Sequence, residues 1–167
     1  MHRFAIMAVL VLLAVSTGEA AAQQKRPEAP AENVAITVSA QIGGKSYHGS
    51  GTGSCSYEPD ASIHDVSASL WMVQYASQAR AVKQLNLTLW RPKDGSPDQL
   101  SLSLETGSGA HRIQTGGKDG NSGEASVTIL PSGPGGSLEI NGKEAGGKPV
   151  QITIDCPAFE GIEAEGG

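Results

Sequence analysis

Residues 34–57 read VAITVSAQIGGKSYHGSGTGSCSY, and this stretch decides the fold. Over residues 34–42 apolar and polar side chains alternate, which predicts a strand with one buried face and one exposed face. The glycine pair at 43–44 predicts a turn, and the alternation resumes after it. The stretch therefore predicts a β-hairpin at the start of a β-domain.

The second strand of this hairpin lacks side chains at three successive positions of one face. Those positions are Gly49, Gly51 and Gly53. Glycine weakens a strand and marks a bulge or a place where another group comes close. We expect an indole ring or a neighbouring strand to cover these positions.

The same alternation continues to residue 156 and is interrupted by short segments rich in glycine and proline. Further strands are predicted over 66–75, 82–91, 99–106, 110–115, 124–130, 136–143 and 149–156. About nine short strands at roughly ten-residue spacing, without a convincing amphipathic helix, indicate an all-β fold. We expect an antiparallel β-sandwich, or a partly open barrel, of about 8–9 strands.

The two cysteines, Cys55 and Cys156, are predicted to form one disulfide. In the last hairpin, pairing Ile140 with Ile152 also places Gly136 opposite Cys156, so this cysteine faces the core. An exported chain with two cysteines and no Cys-x-x-Cys spacing most simply pairs them for a structural purpose.

The N-terminus predicts export to the periplasm or the outside of the cell. A basic start, an apolar run over residues 4–15 and the small residues before Gln23 match a signal peptide cleaved after Ala22. The run is too short to span a bilayer as a helix, so no integral membrane protein is expected. The predicted organisation is a signal peptide (1–22), a flexible leader (23–32), a β-sandwich domain (33–159) and a disordered acidic tail (160–167).

The composition excludes several classes of function. The net charge is −5, and no cluster of Lys and Arg is present, so we expect no nucleic-acid partner. Neither a phosphate-binding glycine loop nor the G-x-S-x-G motif of many serine hydrolases occurs. We expect no cofactor, and the sequence favours a protein that is not an enzyme.

The aromatic residues give the strongest indication of function. If Trp71 paired with Trp90, both indoles and Tyr75 would lie on one face of the sheet, beside Asn86 and Thr88, and Arg91 or Asn86 would supply polar contacts. Such a face predicts a binding protein of the cell envelope that recognises a glycan or a protein. The competing interpretation places both tryptophans in the core, over the bare glycines.

Two alternatives to a binding protein stay open at this point. His48, His64 and His111 lie on or beside different predicted strands and would serve an envelope hydrolase or a metal-binding protein only if the fold gathered them. The spacing gives no support for that, and no metal ligand set is assigned. The second alternative is a structural subunit of a surface assembly, which long strands with polar edges would suit.

Overall fold

The computed structural model describes residues 33–63, 65–116 and 122–162, which form a sheet of antiparallel strands nearly closed into a barrel. The all-β prediction is confirmed, and the architecture is the partly open barrel. The strands are β1 (Val34–Ile42), β2 (Lys45–Ile63), β3 (Val66–Ala76), β4 (Val82–Pro92), β5 (Gln99–Thr106), β6 (Gly109–Gln114), β7 (Gly123–Ser132), β8 (Gly135–Glu144), β9 (Pro149–Cys156) and β10 (Glu160–Gly161).

The strand order leaves one seam in the barrel. Hydrogen-bonded neighbours follow the path β6-β5-β4-β3-β2-β1-β9-β8-β7, and every pair on it is antiparallel. Direction alternates along the path, so β6 and β7 at its two ends run the same way, and a tight hairpin cannot join them. Where β7 begins, the N–H of Ser122 donates to the carbonyl of Gln114 across 2.9 Å.

The core fills the inside of the barrel with aliphatic side chains from alternate positions of the strands. On β4 and β5 the buried side chains are Val82, Leu85, Leu87, Leu89, Leu100, Leu102, Leu104 and the polar Thr106. The intervening positions face outward and carry mainly Ser, Thr, Asn and Gln. This is the period-two pattern that a sheet with one dry face requires.

The bare glycines of β2 make room for one ring. A Cβ at Gly49 would meet the hydroxyl oxygen of Tyr75, and a Cβ at Gly51 would meet both the Tyr75 ring and the carbonyl of Ala76. At Gly53 the obstacle is the carbonyl of Gln74 on β3. The predicted close approach is therefore present, and the covering ring is a phenol.

The disulfide joins Cys55 and Cys156 inside the barrel, as predicted. Their Cα atoms are 6.1 Å apart, and the bond closes a sequence separation of 101 residues. Gly136 pairs with Cys156 and Ile140 with Ile152, so the predicted register of the last hairpin is also confirmed. The bond ties the last long strand to the middle of β2.

The first two residues of the predicted disordered tail belong to a strand, and residues 163–167 lie outside the described residues. Glu160 and Gly161 form β10, which pairs in parallel with Ser56 and Tyr57 of β2. Just before it, the N–H of Phe159 donates to the carbonyl of Pro134 across 2.9 Å. The predicted signal peptide and leader lie outside the described residues.

Candidate binding face

The two tryptophans lie on opposite sides of the sheet. Trp71 pairs with Leu89, and Trp90 pairs with Leu70. The predicted pairing of Trp71 with Trp90 is therefore wrong by one residue. Because successive side chains of a strand point to opposite faces, a shift of one residue puts the two indoles on different faces, and the predicted single aromatic face does not form. Of its five members, Trp71, Tyr75 and Arg91 belong to the inner side of the strands and Asn86 and Trp90 to the outer side.

Trp71 is a core residue at one end of the barrel. Its side chain is 8% exposed and stacks on the ring of Tyr57, with ring centroids 4.7 Å apart. The guanidinium carbon of Arg91 lies 5.4 Å from the Trp71 ring centroid, close enough for a cation–π contact. Trp71 is thus packed between an aromatic ring and a cation.

Arg91 also makes hydrogen bonds that hold neighbouring parts of the barrel together. Its Nη2 donates to Asp98 Oδ2 across 2.8 Å and to the carbonyl of Val127 on β7 across 2.9 Å. Its Nε donates to Asp98 Oδ1 across 3.2 Å, which completes a bidentate pair. Because Val127 belongs to a strand at the seam, Arg91 connects β4 to that strand.

The outer side of β2 to β5 forms a surface that we name the Trp90 face. The register sets its side chains in three rows across the strands: Leu70, Trp90 and Gln99; Ser56, Met72, Thr88 and Ser101; Ser54, Gln74, Asn86 and Ser103. Leu70 is 8% exposed on this outer side, and Trp90 and Met72 are partly exposed beside it. A small apolar platform therefore adjoins two rows that consist largely of hydroxyl and amide groups.

The polar groups of the Trp90 face are available to a ligand. The side chains of Gln74, Asn86 and Thr88 make no hydrogen bond to another described residue. None of the residues in the three rows is charged, and Glu58 lies at one end of the first row, opposite Leu70. The predicted face contained Asn86 and Trp90. It did not contain Leu70, Met72 or Gln74, because the predicted register of the β3/β4 hairpin was wrong by one residue.

The two described histidines of the predicted set, His48 and His111, lie on opposite sides of the sheet and form no common site. His48 is exposed on the outer side of β2 and lies 3.0 Å from the hydroxyl of Ser39 through Nδ1. His111 faces inward on β6 and is 9% exposed. His64 lies outside the described residues. Across residues 33–63, 65–116 and 122–162, no group of three or more His, Cys, Asp or Glu side chains is placed to hold a metal ion.

His111 instead joins the two sides of the seam. Its Nδ1 lies 2.8 Å from Glu144 Oε1 at the end of β8, and its Nε2 lies 3.4 Å from Thr106 Oγ1. Lys148 Nζ lies 3.1 Å from the other carboxylate oxygen of Glu144. Burial raises the pKa of Glu144, but the hydrogen bonds from His111 and Lys148 outweigh it and hold that pKa below its usual value.

This network of polar side chains ends at Ser108 in the β5/β6 turn. The contacts of Ser108 favour a structural role for its hydroxyl over the role of a nucleophile in acyl transfer. Ser108 Oγ lies 2.6 Å from Tyr47 Oη and 3.0 Å from Thr106 Oγ1. A nucleophilic serine needs N–H donors that are free to bind an oxyanion. Here the N–H of Ser108 donates to Thr106 Oγ1, and the N–H of Gly107 donates to the carbonyl of Ala81.

Among the residues that the structure describes, no helix has the length and apolarity to cross a membrane. Comparisons with protein family models, with curated proteins and with solved structures found no match to this chain.

Proposed function

We propose that this protein is an exported, non-enzymatic module of the cell envelope that binds a neutral glycan through the Trp90 face. The observation that carries the proposal is the partly exposed indole of Trp90, set beside rows of unengaged hydroxyl and amide side chains. Export rests on the signal-like segment at residues 1–22.

The chemistry of the face suits a sugar ring. An indole offers a flat apolar surface to the C–H groups of a pyranose, while the indole N–H stays available as a donor. Amides and hydroxyls both donate and accept, as sugar hydroxyls do. Gln74 and Asn86 stand directly opposite each other on β3 and β4, so one sugar can contact both side chains.

The absence of charge in the three rows argues for a neutral ligand over a charged polymer. A charged partner is normally met by a surface of opposite sign, which steers association and fixes register. The Trp90 face has no such charge among its row members. The charged residues that the register places at the ends of its rows are of both signs: Glu58 beside Leu70, Glu160 beside Ser56 and Arg112 beside Ser103.

The test is affinity electrophoresis of the mature protein in gels that contain dextran, laminarin or galactomannan, with alginate as the charged comparator. Migration should be retarded in at least one neutral gel. Trp90→Ala should weaken that binding by about tenfold or more, the equivalent of roughly 1.4 kcal/mol.

The matched control is Leu130→Ala, which removes a 46% exposed apolar side chain from β7, away from the Trp90 face. It should bind as the wild type does, and thermal unfolding should show that both variants stay folded. Equal binding by Trp90→Ala and the wild type would refute the proposal. Large homogeneous oligomers in size-exclusion chromatography, without retardation in any gel, would favour a structural subunit.

A further inference from the structure

A second row of hydrogen-bonding side chains crosses the other side of the barrel. The register aligns, strand by strand, Ser46, Gln41, Gln151, Asn141 and Ser126. All five side chains are exposed, and they come from β2, β1, β9, β8 and β7. We name this set the amide row. Neighbouring strands lie about 4.8 Å apart, so the row spans roughly 19 Å.

Residues of the amide row line two shallow clefts. One, of about 380 Å³, is lined by Gln41 and Gln151 together with Gly142. The other, also of about 380 Å³, is lined by Asn141, Ser126 and again Gly142. Gly142 borders both clefts, so the two clefts adjoin each other beside the row.

The chemistry of the row selects an uncharged, hydrogen-bonding polymer. All its members are amides or hydroxyls, and the side chains of Gln41, Gln151 and Asn141 make no hydrogen bond to another described residue. The charged side chains that flank the row are of both signs: Glu139 lies two residues from Asn141 on the outer side of β8, and Glu124 and Lys143 line the second cleft. Neither an anionic nor a cationic polymer finds a complementary surface there.

The amide row and the Trp90 face point in different directions. The Trp90 face is centred on β3 and β4, whereas the amide row is centred on β9, three to four strands further along the nine-strand path. In a barrel of this size, that separation puts the two surfaces on nearly opposite sides. Only β2 contributes to both, through Ser46 near its start and through Ser54 and Ser56 at its middle.

We propose that the amide row is a second binding site for a neutral glycan chain, and that the two sites make this protein a cross-linker of polysaccharide strands. The inference rests on the proposed glycan-binding function of the Trp90 face. Two sites that face in different directions cannot both bind one short glycan, but they can bind two neighbouring polysaccharide chains. Binding to a surface that displays many strands then gains from multivalency.

The experiment mixes the mature protein with beads that carry dextran, laminarin or galactomannan and scores agglutination. Calorimetry measures, in parallel, the binding of a short oligosaccharide of the same polysaccharide. The test variant is Gln151→Ala combined with Asn141→Ala, which empties the middle of the amide row. Trp90→Ala removes the other site. Gln78→Ala, an exposed glutamine of the β3/β4 loop, is the matched control.

The wild type and Gln78→Ala should bind two equivalents of a short oligosaccharide and agglutinate the beads. The amide-row variant and Trp90→Ala should each bind one equivalent and fail to agglutinate. A wild type that binds one equivalent, with the amide-row variant indistinguishable from it, would overturn the second site and leave the Trp90 face standing. No binding by the wild type would overturn the glycan function itself, and the second site with it.

A change of oligomeric state in the amide-row variant, with glycan stoichiometry unaltered, would also overturn the inference. That result would assign the row to a contact between copies of this chain. Sedimentation velocity on the same samples gives this readout.

Discussion

The hydroxyl oxygen of Tyr75 lies over Gly49, 2.5 Å from the point where a Cβ would stand at that position. The ring is 2% exposed, and its hydroxyl has no hydrogen-bond partner among the described residues. The glycines of β2 thus leave space for the Tyr75 ring, and this ring carries a hydroxyl without a hydrogen-bond partner into the core.

Tyr75→Phe should raise the free energy of unfolding by about 1 kcal/mol, because burying a hydroxyl without a partner is costly and the ring itself is retained. Urea denaturation at neutral pH measures this change. Tyr47→Phe is the matched control, since it removes a hydroxyl that lies 2.6 Å from Ser108 Oγ, and it should lower stability. A lower stability for Tyr75→Phe would mean that the hydroxyl has a partner in solution, such as a bound water.

Gly49→Ala should lower the free energy of unfolding by about 1–3 kcal/mol, the usual cost of overpacking a core. The new methyl group would meet the Tyr75 hydroxyl and the Cβ of Val82. The loss should be smaller in the Tyr75→Phe background, because one of the two obstacles is then gone, and a double-mutant cycle gives the coupling. Gly146→Ala, where a Cβ would meet nothing within 4 Å, is the control and should change little.

Removing the disulfide should be among the most destabilising changes in the core. Replacing both Cys55 and Cys156 with alanine frees a loop with a sequence separation of 101 residues, and the chain-entropy model assigns up to about 4 to 5 kcal/mol to such a bond. Urea denaturation with and without reductant measures the effect. The reductant should destabilise the wild type and leave the double variant unchanged, and a wild type insensitive to complete reduction would contradict this role.

The pH dependence of stability should carry a contribution from Glu144. Its pKa is lowered from the ordinary 4.5 in the folded state, so its contribution is fully present above pH 4.5 and is lost as the pH falls through the folded value. Glu144→Gln should therefore be less stable than the wild type near neutrality, and the gap should close in acid. Melting temperatures measured across this range test the sign.

The matched control for that series is Glu105→Gln, which breaks an exposed ion pair with Lys83 in which both side chains are 48% exposed. Exposed pairs contribute little, so its melting curve should follow the wild type throughout. A gap between Glu144→Gln and the wild type that widened in acid would contradict the role assigned to the carboxylate.

The strand positions could be predicted from the sequence because alternation survives almost unbroken from Val34 to Cys156. Each strand of a barrel has one dry and one wet face, and the period of two is then visible in every strand. The disulfide followed from the same pattern, since Cys156 shares its face with Ile152 and Ile154. Local pattern and global fold agree over this part of the chain.

The register of the β3/β4 hairpin could not be obtained in the same way. Residues 70–73 are apolar at every position, so β3 alone does not say which face is buried. The signal that decides it is on β4, where Leu85, Leu87 and Leu89 alternate with polar side chains and must share the inner face with Trp71. The contact between His111 and Glu144 was equally hidden, because it depends on how the barrel closes at the seam.

Tryptophan fluorescence should separate the two indoles. Trp71 is stacked and 8% exposed, whereas Trp90 is partly exposed on the outer side. Trp90→Phe, which leaves Trp71 as the reporter, should give blue-shifted emission that resists acrylamide, and Trp71→Phe should give red-shifted emission that is readily quenched. Adding a polysaccharide that binds the Trp90 face should protect the emission of Trp71→Phe and leave that of Trp90→Phe unchanged. Equal quenching of the two variants would contradict the hairpin register on which the Trp90 face depends.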